Sequence, residues 1–245
     1  MRFLFLLFLC SCSAYQWKLK ETNDYFTFFN KDSDYTQGIE LEASNGNEAW
    51  AIGQDIYTPV HKRETPPRRD ERPYAGYLYL SGRTRFDAAR GLSVGLKPGW
   101  IGPWAGGKMA QCGIHSLLGQ DCPVGWEYQI GNRPTLQGTV KKEWNYEKTT
   151  ISAGANAGTP TTSVFISTER ILWSPLAIDV GSRLEAIAYD SFLDAGSSAV
   201  TKRPYRCTAI LGARWKGVRY FLALQTPATK ESHEAYNYGG IEIEW

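Results

Sequence analysis

Apolar and polar side chains alternate with a period of two along most of the chain from Thr36 onward. In the first such segment Ile39, Leu41 and Ala43 share one face, and glutamates occupy the other. Regular alternation predicts β-strands, and helical periodicity is scarce. Because aspartate, glutamate and arginine lie opposite aliphatic residues, the pattern favours a transmembrane barrel with lipid on one side and a polar lumen on the other.

The connections between these strands alternate in length. Asn45-Gly46 and Lys216-Gly217 are typical tight turns, whereas long polar links such as 59–73 and 102–134 lie between them. Twelve strands result, with five short turns on one side and both chain ends on that side. Outer-membrane barrels have this asymmetry of periplasmic turns and extracellular loops. We therefore expect an all-β, antiparallel, up-and-down transmembrane barrel at residues 15–245.

Both chain ends carry features of exported proteins. Residues 1–14 combine an early arginine, a short apolar run and small residues up to Ala14, as a cleaved signal peptide does. Lipoprotein-type cleavage with Cys12 lipidated is the alternative. The last residues alternate to Trp245 and resemble the C-terminal signal that such barrels present to the barrel-assembly machinery, although an ordinary edge strand can end in the same way.

Composition narrows the function classes further. A net charge of +2 gives no support for nucleic-acid binding. Nine tryptophans and fourteen tyrosines suit a membrane interface, where rings with one polar end are preferred. A carbohydrate-binding β-sandwich would show the same enrichment, so composition by itself does not separate the two.

The link 102–134 carries the first candidate for chemistry. A short helix is predicted from about Lys108 to Leu118, and it places Gln111 and His115 on one face because they are four residues apart. A histidine near a lipid headgroup can act as a general base toward water at neutral pH. A merely solvated loop histidine is the alternative.

Oxygen-bearing side chains are expected at the same rim. Asn23 and Asp24 end the first strand and Thr36 begins the second. Hard oxygen ligands suit Ca²⁺, which stabilises charge on an ester carbonyl oxygen. Asparagine and aspartate are also common turn residues, which is the alternative. The sequence has no GxSxG or HExxH motif, which disfavours serine-hydrolase and zincin chemistry.

Two further features lie in the outer loops. Basic residues in 59–73, among them Lys62 and Arg63, would attract lipid phosphates, unless they only form ion pairs within a solvated loop. Cys112 and Cys122 share the loop of His115, where a disulfide would staple it in an oxidising compartment. Spacing does not decide the pairing, because Cys207 is left over on a lipid-facing position.

Four ordered motifs resemble the lipid A 3'-O-deacylase family. They are GQDIYTP at 53–59, ERPYAGYLYL at 71–80, IGPWAGGKMAQCGIH at 101–115 and GWEYQIGNRP at 125–134. The match is specific up to about Pro134, and the remainder fits only as barrel strands. The resemblance implies a barrel in the Gram-negative outer membrane that hydrolyses the 3'-linked acyloxyacyl ester of lipid A, the membrane anchor of lipopolysaccharide, at a calcium-dependent site open to the outer leaflet.

The same resemblance implies roles for individual residues. The catalytic set is His115, Asn23, Asp24, Thr36 and Gln111; the Ca²⁺ ligands are Asp24 and Asn23; and the residues near the lipid phosphate are Lys62 and Arg63. We expect direct hydrolysis without an acyl-enzyme, with His115 taking a proton from the attacking water. The alternatives are a phospholipase A-like barrel acting on glycerophospholipids, and a non-catalytic channel or adhesin.

Overall fold

A closed barrel of twelve antiparallel strands is formed by the residues that the computed structural model describes, which are 15–27, 34–61, 64–68, 71–87, 91–173, 177–194, 204–227 and 236–245. The strands are β1 (Gln16–Asn23), β2 (Asp34–Ser44), β3 (Glu48–Thr58), β4 (Ala75–Asp87), β5 (Leu92–Ile101), β6 (Arg133–Tyr146), β7 (Thr149–Gly158), β8 (Thr161–Trp173), β9 (Ala177–Asp190), β10 (Tyr205–Trp215), β11 (Val218–Gln225) and β12 (Tyr236–Glu244). Each strand pairs with its neighbours in the chain, and β1 pairs with β12. The predicted fold class and strand number are confirmed, and the predicted signal peptide, 1–14, lies outside the described residues.

Two α-helices, α1 (Gly107–Leu117) and α2 (Ser191–Asp194), lie in links between strands. Helix α1 confirms the helix expected near residues 108–118. Both helices lie at the outer end of the barrel, which we define as the end with the long links; the short connections define the inner end. Of the helices in the described parts of the chain, none has the length and apolar character needed to cross a membrane.

The alternation in the sequence decides which side chains face outward. On β2, Ile39 is exposed on the outer surface, while Glu40 and Glu42 point into the lumen. There Glu42 pairs with Lys18 at 3.5 Å, and Glu40 accepts a hydrogen bond from the Tyr79 hydroxyl at 2.9 Å. The outer wall is therefore apolar and the inner wall polar, as a lipid-facing barrel requires.

Large aromatic side chains gather at the inner end of the barrel. Those exposed there include Tyr15, Trp50, Phe86, Trp144, Tyr146, Trp173, Trp215 and Trp245. Trp245 also helps to close the barrel, because its backbone exchanges hydrogen bonds of 2.9 and 3.0 Å with Trp17. Tryptophan and tyrosine prefer the boundary between membrane and water, so this belt marks one edge of the apolar band.

Charged side chains in the lumen bond to one another across strands. Arg219 of β11 donates two hydrogen bonds to Asp179 of β9, one of them at 3.1 Å from Nε, and reaches Glu242 of β12 at 3.3 Å. Glu185 of β9 accepts a hydrogen bond of 2.6 Å from the Ser163 hydroxyl. Buried charges of this kind are tolerated because they are paired and hydrogen-bonded.

Aromatic rings cross the lumen near the outer end. Phe192 of α2 packs against Tyr57 of β3 and Tyr77 of β4, with ring centroids 4.5 and 5.5 Å apart. Helix α2 directly follows β9, which lies on the opposite side of the barrel from β3 and β4. These contacts therefore occupy part of the lumen at the end where a channel would have its mouth.

Helix α1 packs against the outside of the wall. Ile56 of β3 points outward, and it is buried in a cluster with Tyr74 and Trp126 on which Ala110 of α1 packs. The helix approaches closely because Gly76 has no side chain; a Cβ there would lie 2.9 Å from the backbone nitrogen at the start of α1. The loop that bears α1 thus folds down beside the barrel.

Candidate active site

A cavity of about 350 Å³ lies between α1 and the outer face of β1 and β2. Its lining includes the predicted catalytic residues Asn23, Asp24, Thr36, Gln111 and His115. The structure therefore brings together side chains that lie up to 92 positions apart in the sequence, since 115 − 23 = 92. The cavity lies on the outside of the barrel wall, so it is accessible from the surrounding leaflet. The roles of these residues stay predictions.

Asn23 and Asp24 enter the cavity where β1 ends in a short 3-10 helix, Asp24–Phe26. The Asn23 side chain caps this helix, since its Oδ1 accepts a hydrogen bond of 2.8 Å from the backbone N–H of Tyr25. Asp24 is only 3% exposed. Asn23 therefore has a structural role as a cap, whereas the burial of Asp24 at a cavity wall is unusual for a turn aspartate.

Thr36 reaches the cavity because of a β-bulge. Tyr35 pairs with Tyr57 and Gln37 with Ile56, so Thr36 is an extra residue in β2. Its hydroxyl is buried and lies 2.6 Å from the hydroxyl of Thr58. Bulges commonly redirect side chains beside active sites. Simple alternation along β2 does not predict the direction of this side chain.

The imidazole of His115 is oriented by a backbone carbonyl. Its Nδ1 lies 2.7 Å from the carbonyl oxygen of Asp121. Because a carbonyl oxygen only accepts hydrogen bonds, Nδ1 carries the proton, and Nε2 of the neutral ring keeps its lone pair. That is the protonation pattern a general base requires.

Gln111 lines the cavity with a buried side-chain amide. Its Oε1 accepts a hydrogen bond of 2.9 Å from the indole N–H of Trp126. The side chain is 2% exposed, and its Nε2 has no hydrogen-bond partner among the residues described. A buried donor without a partner costs roughly 1 to 3 kcal/mol. The arrangement is therefore better suited to binding an oxygen atom than to stabilising the fold.

The cavity has an apolar side as well as a polar one. Phe26, Ile114 and Leu118 line it together with the polar residues. Ile114 and Leu118 lie one helical turn apart, so they extend along the same side of α1. An ester that joins a polar headgroup to an acyl chain would match both sides.

Glu21 also lines the cavity, and sequence reasoning missed it. It has the same parity on β1 as Trp17 and Leu19, which face outward. A charged group on the lipid-facing side of a barrel is costly. An outward glutamate two residues before the end of a strand could therefore have indicated a functional residue from the sequence.

The donor chemistry of the cavity fits a calcium ion. The carboxylates of Glu21 and Asp24 and the amide of Asn23 are hard oxygen donors, which Ca²⁺ prefers. Within the described ranges no three His, Cys, Asp or Glu side chains come together as a metal site. Backbone, water or substrate oxygens would have to complete the shell, and Ca²⁺ accepts such mixed sets of roughly six to eight ligands.

The basic loop is described only in part. Lys62 and Arg63 lie outside the described residues, so their predicted contact with a lipid phosphate stays a prediction. Arg68 donates hydrogen bonds of 2.7 Å to Glu64 and holds the pKa of that exposed carboxyl below its usual value. Arg72 is buried, with its guanidinium 4.8 Å from the Tyr57 ring. Arg68 therefore forms an ion pair within the loop, as the alternative interpretation expects, whereas Arg72 is buried against an aromatic ring, which neither interpretation predicts.

Comparison with known proteins bears on the family and the fold of the chain. The model of the family described as "Outer membrane protein LpxR" matches residues 3–168. LpxR from Salmonella typhimurium has the same fold, with a TM-score of 0.72 at 19% identity over 94% of this chain and 99% of that chain. A KdgM porin matches more loosely (TM-score 0.47, 6% identity, 94% and 97% coverage), as does the translocator domain of autotransporter NalP from Neisseria meningitidis (0.44, 10%, 94% and 86%). A search of the curated proteins finds no match.

Proposed function

The chain belongs to the LpxR family of outer membrane proteins, the lipid A 3'-O-deacylase family, and we propose that it hydrolyses the 3'-linked acyloxyacyl ester of lipid A. The single observation that carries the proposal is the histidine in the outer-wall cavity. His115 has its Nε2 lone pair free for a proton, and it shares the cavity with the amide of Gln111 and the carboxylate of Asp24.

His115 acts as the general base in this proposal. Its Nδ1–H is held by the Asp121 carbonyl, so Nε2 takes a proton from water, and the water oxygen attacks the ester carbonyl. The proton then passes to the leaving sugar oxygen as the carbon–oxygen bond breaks. No acyl-enzyme is needed, because the attacking group is water.

Gln111 and Thr36 orient the reacting groups. The Nε2 group of Gln111 is a donor at a fixed position, and such a donor stabilises the negative charge that develops on the carbonyl oxygen. Thr36 is fixed by its bond to Thr58 and supplies a hydroxyl beside it. Both side chains are held before substrate binds, so little reorganisation is required during the reaction.

Asp24 and Asn23, with Glu21, would hold Ca²⁺ at the polar side of the cavity. A bound calcium ion supplies positive charge that polarises the ester carbonyl. The apolar side formed by Phe26, Ile114 and Leu118 receives the acyl chain, so that the ester lies between the two sides. A basic pair such as Lys62 and Arg63 would then meet the lipid phosphates.

Side chains that cross the lumen disfavour the channel alternative. Phe192 and the rings of Tyr57 and Tyr77 meet inside the barrel at its outer end, and further in Arg219 is paired with Asp179. A narrow pore would need an open polar path through the same space. The cavity outside the wall, by contrast, is of a size that suits one lipid ester.

Mass spectrometry of lipid A tests substrate, bond and residue together. Gram-negative cells that lack this activity would express the chain or its His115→Ala variant, with and without a calcium chelator in the membrane preparation. We expect a lipid A species lacking the 3'-acyloxyacyl group only with the unaltered chain and with calcium. Heat-modifiable migration in gels verifies that the variant barrel is folded.

The contrary outcomes separate the alternatives. A deacylated species in the His115→Ala sample would contradict the assignment of the base, and an unchanged product after chelation would contradict the calcium requirement. Release of fatty acid from phosphatidylethanolamine but not from lipid A would identify a phospholipase. Unmodified lipid A and no fatty acid release would favour the non-catalytic barrel.

A further inference from the structure

A disulfide joins helix α1 to the segment that follows it. Cys112 lies on α1 and Cys122 in the link after it, with their Cα atoms 4.6 Å apart and a sequence separation of 10. Cys207 is exposed and free. The pairing that the sequence left open is therefore Cys112 with Cys122, both in the loop of His115.

This disulfide encloses both partners of the catalytic hydrogen bond. His115 comes three residues after Cys112 on the helix, and Asp121, whose carbonyl accepts the bond from Nδ1, comes directly before Cys122. A second contact in the same ring is the hydrogen bond of 2.8 Å from the Gln120 backbone N–H to the His115 carbonyl oxygen.

The segment around Asp121 has little else to hold it. Residues 120–123 belong to no helix or strand, and Asp121 and Cys122 are exposed. Exposed irregular segments with few buried contacts open locally at low free-energy cost. A covalent link to the helix removes that freedom, because a short ring restricts the positions that the Asp121 carbonyl can take.

We propose that the Cys112–Cys122 disulfide is a positioning element for the catalytic base. It holds the Asp121 carbonyl against Nδ1 of His115, and thereby keeps the proton on Nδ1 and the lone pair on Nε2. Without the link the imidazole turns more freely, and the tautomer with its proton on Nε2 becomes populated. In that tautomer Nε2 has no lone pair with which to take a proton from water. This inference rests on the proposed function, in which His115 activates water.

The expected effect is on the chemical step rather than on binding. Misplacing a catalytic group costs up to about 100-fold in rate, so we expect the Cys112→Ser/Cys122→Ser double variant to lose roughly 10- to 100-fold in kcat. KM for lipid A in mixed micelles should change less than about twofold, because Phe26, Ile114 and Leu118 still line the acyl side. Cys207→Ser is the matched control and should keep both values.

A spectroscopic measurement separates positioning from general loss of structure. Nitrogen-15 NMR of labelled histidine distinguishes the two neutral tautomers, and the signal of His115 is identified by its absence in His115→Ala. The unaltered protein and Cys207→Ser should show the proton on Nδ1. The double variant should show a mixture of tautomers while the folded barrel migrates normally in gels.

Reduction provides the same comparison on one sample. A dithiol gives up two electrons and two protons, closes into a cyclic disulfide, and leaves Cys112 and Cys122 as thiols. We expect it to lower kcat of the unaltered protein and of Cys207→Ser equally, to leave the double variant unchanged, and to act reversibly on reoxidation. If the double variant does not insert as a barrel, reduction of the unaltered protein provides the comparison instead.

The results can overturn the proposal separately from the proposed function. Unchanged kcat without the disulfide would refute it, and so would a lower kcat with the proton still on Nδ1. If the unaltered protein does not deacylate lipid A, the proposed function fails, but the tautomer measurement still decides whether the disulfide orients His115.

Discussion

The lumen and the outer-wall cavity both bury polar side chains, but they use them differently. In the lumen, Arg219 is bonded to Asp179 and Glu242, and Glu185 to Ser163, so the charged groups of these bonds satisfy one another. In the cavity wall, the Nε2 of Gln111 is buried and has no partner among the described residues. Mutual pairing stabilises a fold, whereas a donor left unpaired in the wall of a cavity is available to a ligand.

The largest effect is expected from a carboxylate-to-amide change in the cavity. Asp24→Asn should lower kcat for lipid A by about 1000-fold, because it removes negative charge from the polar side where the cation is expected. Any loss of stability in urea unfolding should be smaller than the roughly 4 kcal/mol that this fall in kcat represents, because asparagine keeps the size of the side chain and one acceptor oxygen. Activity near that of the unaltered protein at saturating calcium would remove Asp24 from the site.

Gln111→Glu tests the oriented amide alone. The carboxylate still accepts the bond from Trp126, but it offers no donor to the developing oxyanion, so we expect kcat to fall about 100-fold. Trp126→Phe is the matched control, because it removes the orienting hydrogen bond and keeps the amide. It should lower kcat less than Gln111→Glu does. Equal rates for Gln111→Glu and the unaltered protein would show that the amide is not used.

The same carboxylate-to-amide change in the lumen should have the opposite signature. Asp179→Asn takes the carboxylate from Arg219 and should lower the free energy of unfolding by about 2 kcal/mol, less than for an isolated buried pair because Glu242 remains at 3.3 Å. Activity per folded molecule should not change. Urea titration of the refolded barrel measures the free energy of unfolding, and an assay in mixed micelles measures the activity. If Asp179→Asn lost activity and kept its stability, the contrast between the lumen and the cavity would be wrong.

The smallest effect concerns the apolar side of the cavity. Leu118→Ala should raise KM about fivefold, equivalent to about 1 kcal/mol of apolar contact with the acyl chain. Leu117→Ala is its neighbour and control, because Leu117 is 88% exposed and does not line the cavity. If both variants, or neither, raise KM, the acyl chain does not lie along this side of α1.

Alternation and connection length predict the barrel because both are local properties of the chain. Strand parity and the turn at Asn45-Gly46 are readable without any long-range contact, and so is the end of β1 at Asn23. The spacing of Gln111 and His115 on one helix is local as well. These features were sufficient to place the site residues at one rim.

The side of the wall on which they meet depends on contacts that the sequence does not display. Helix α1 lies outside because Ile56 and Trp126 pack together, and Thr36 turns toward it through an unpredicted bulge. Phe192 crosses the lumen to Tyr57, a contact between residues 135 positions apart, since 192 − 57 = 135. Local patterns carry no information on such pairs.

The position of the cavity outside the wall sets the kinetics expected of the enzyme. A substrate that arrives through the leaflet diffuses in two dimensions, so its concentration is a mole fraction of the surface and not a quantity per volume. At constant total lipid A, dilution with inert lipid should then slow turnover, while addition of more membrane of the same composition should not speed it. The rate would report how crowded the outer leaflet is with lipid A.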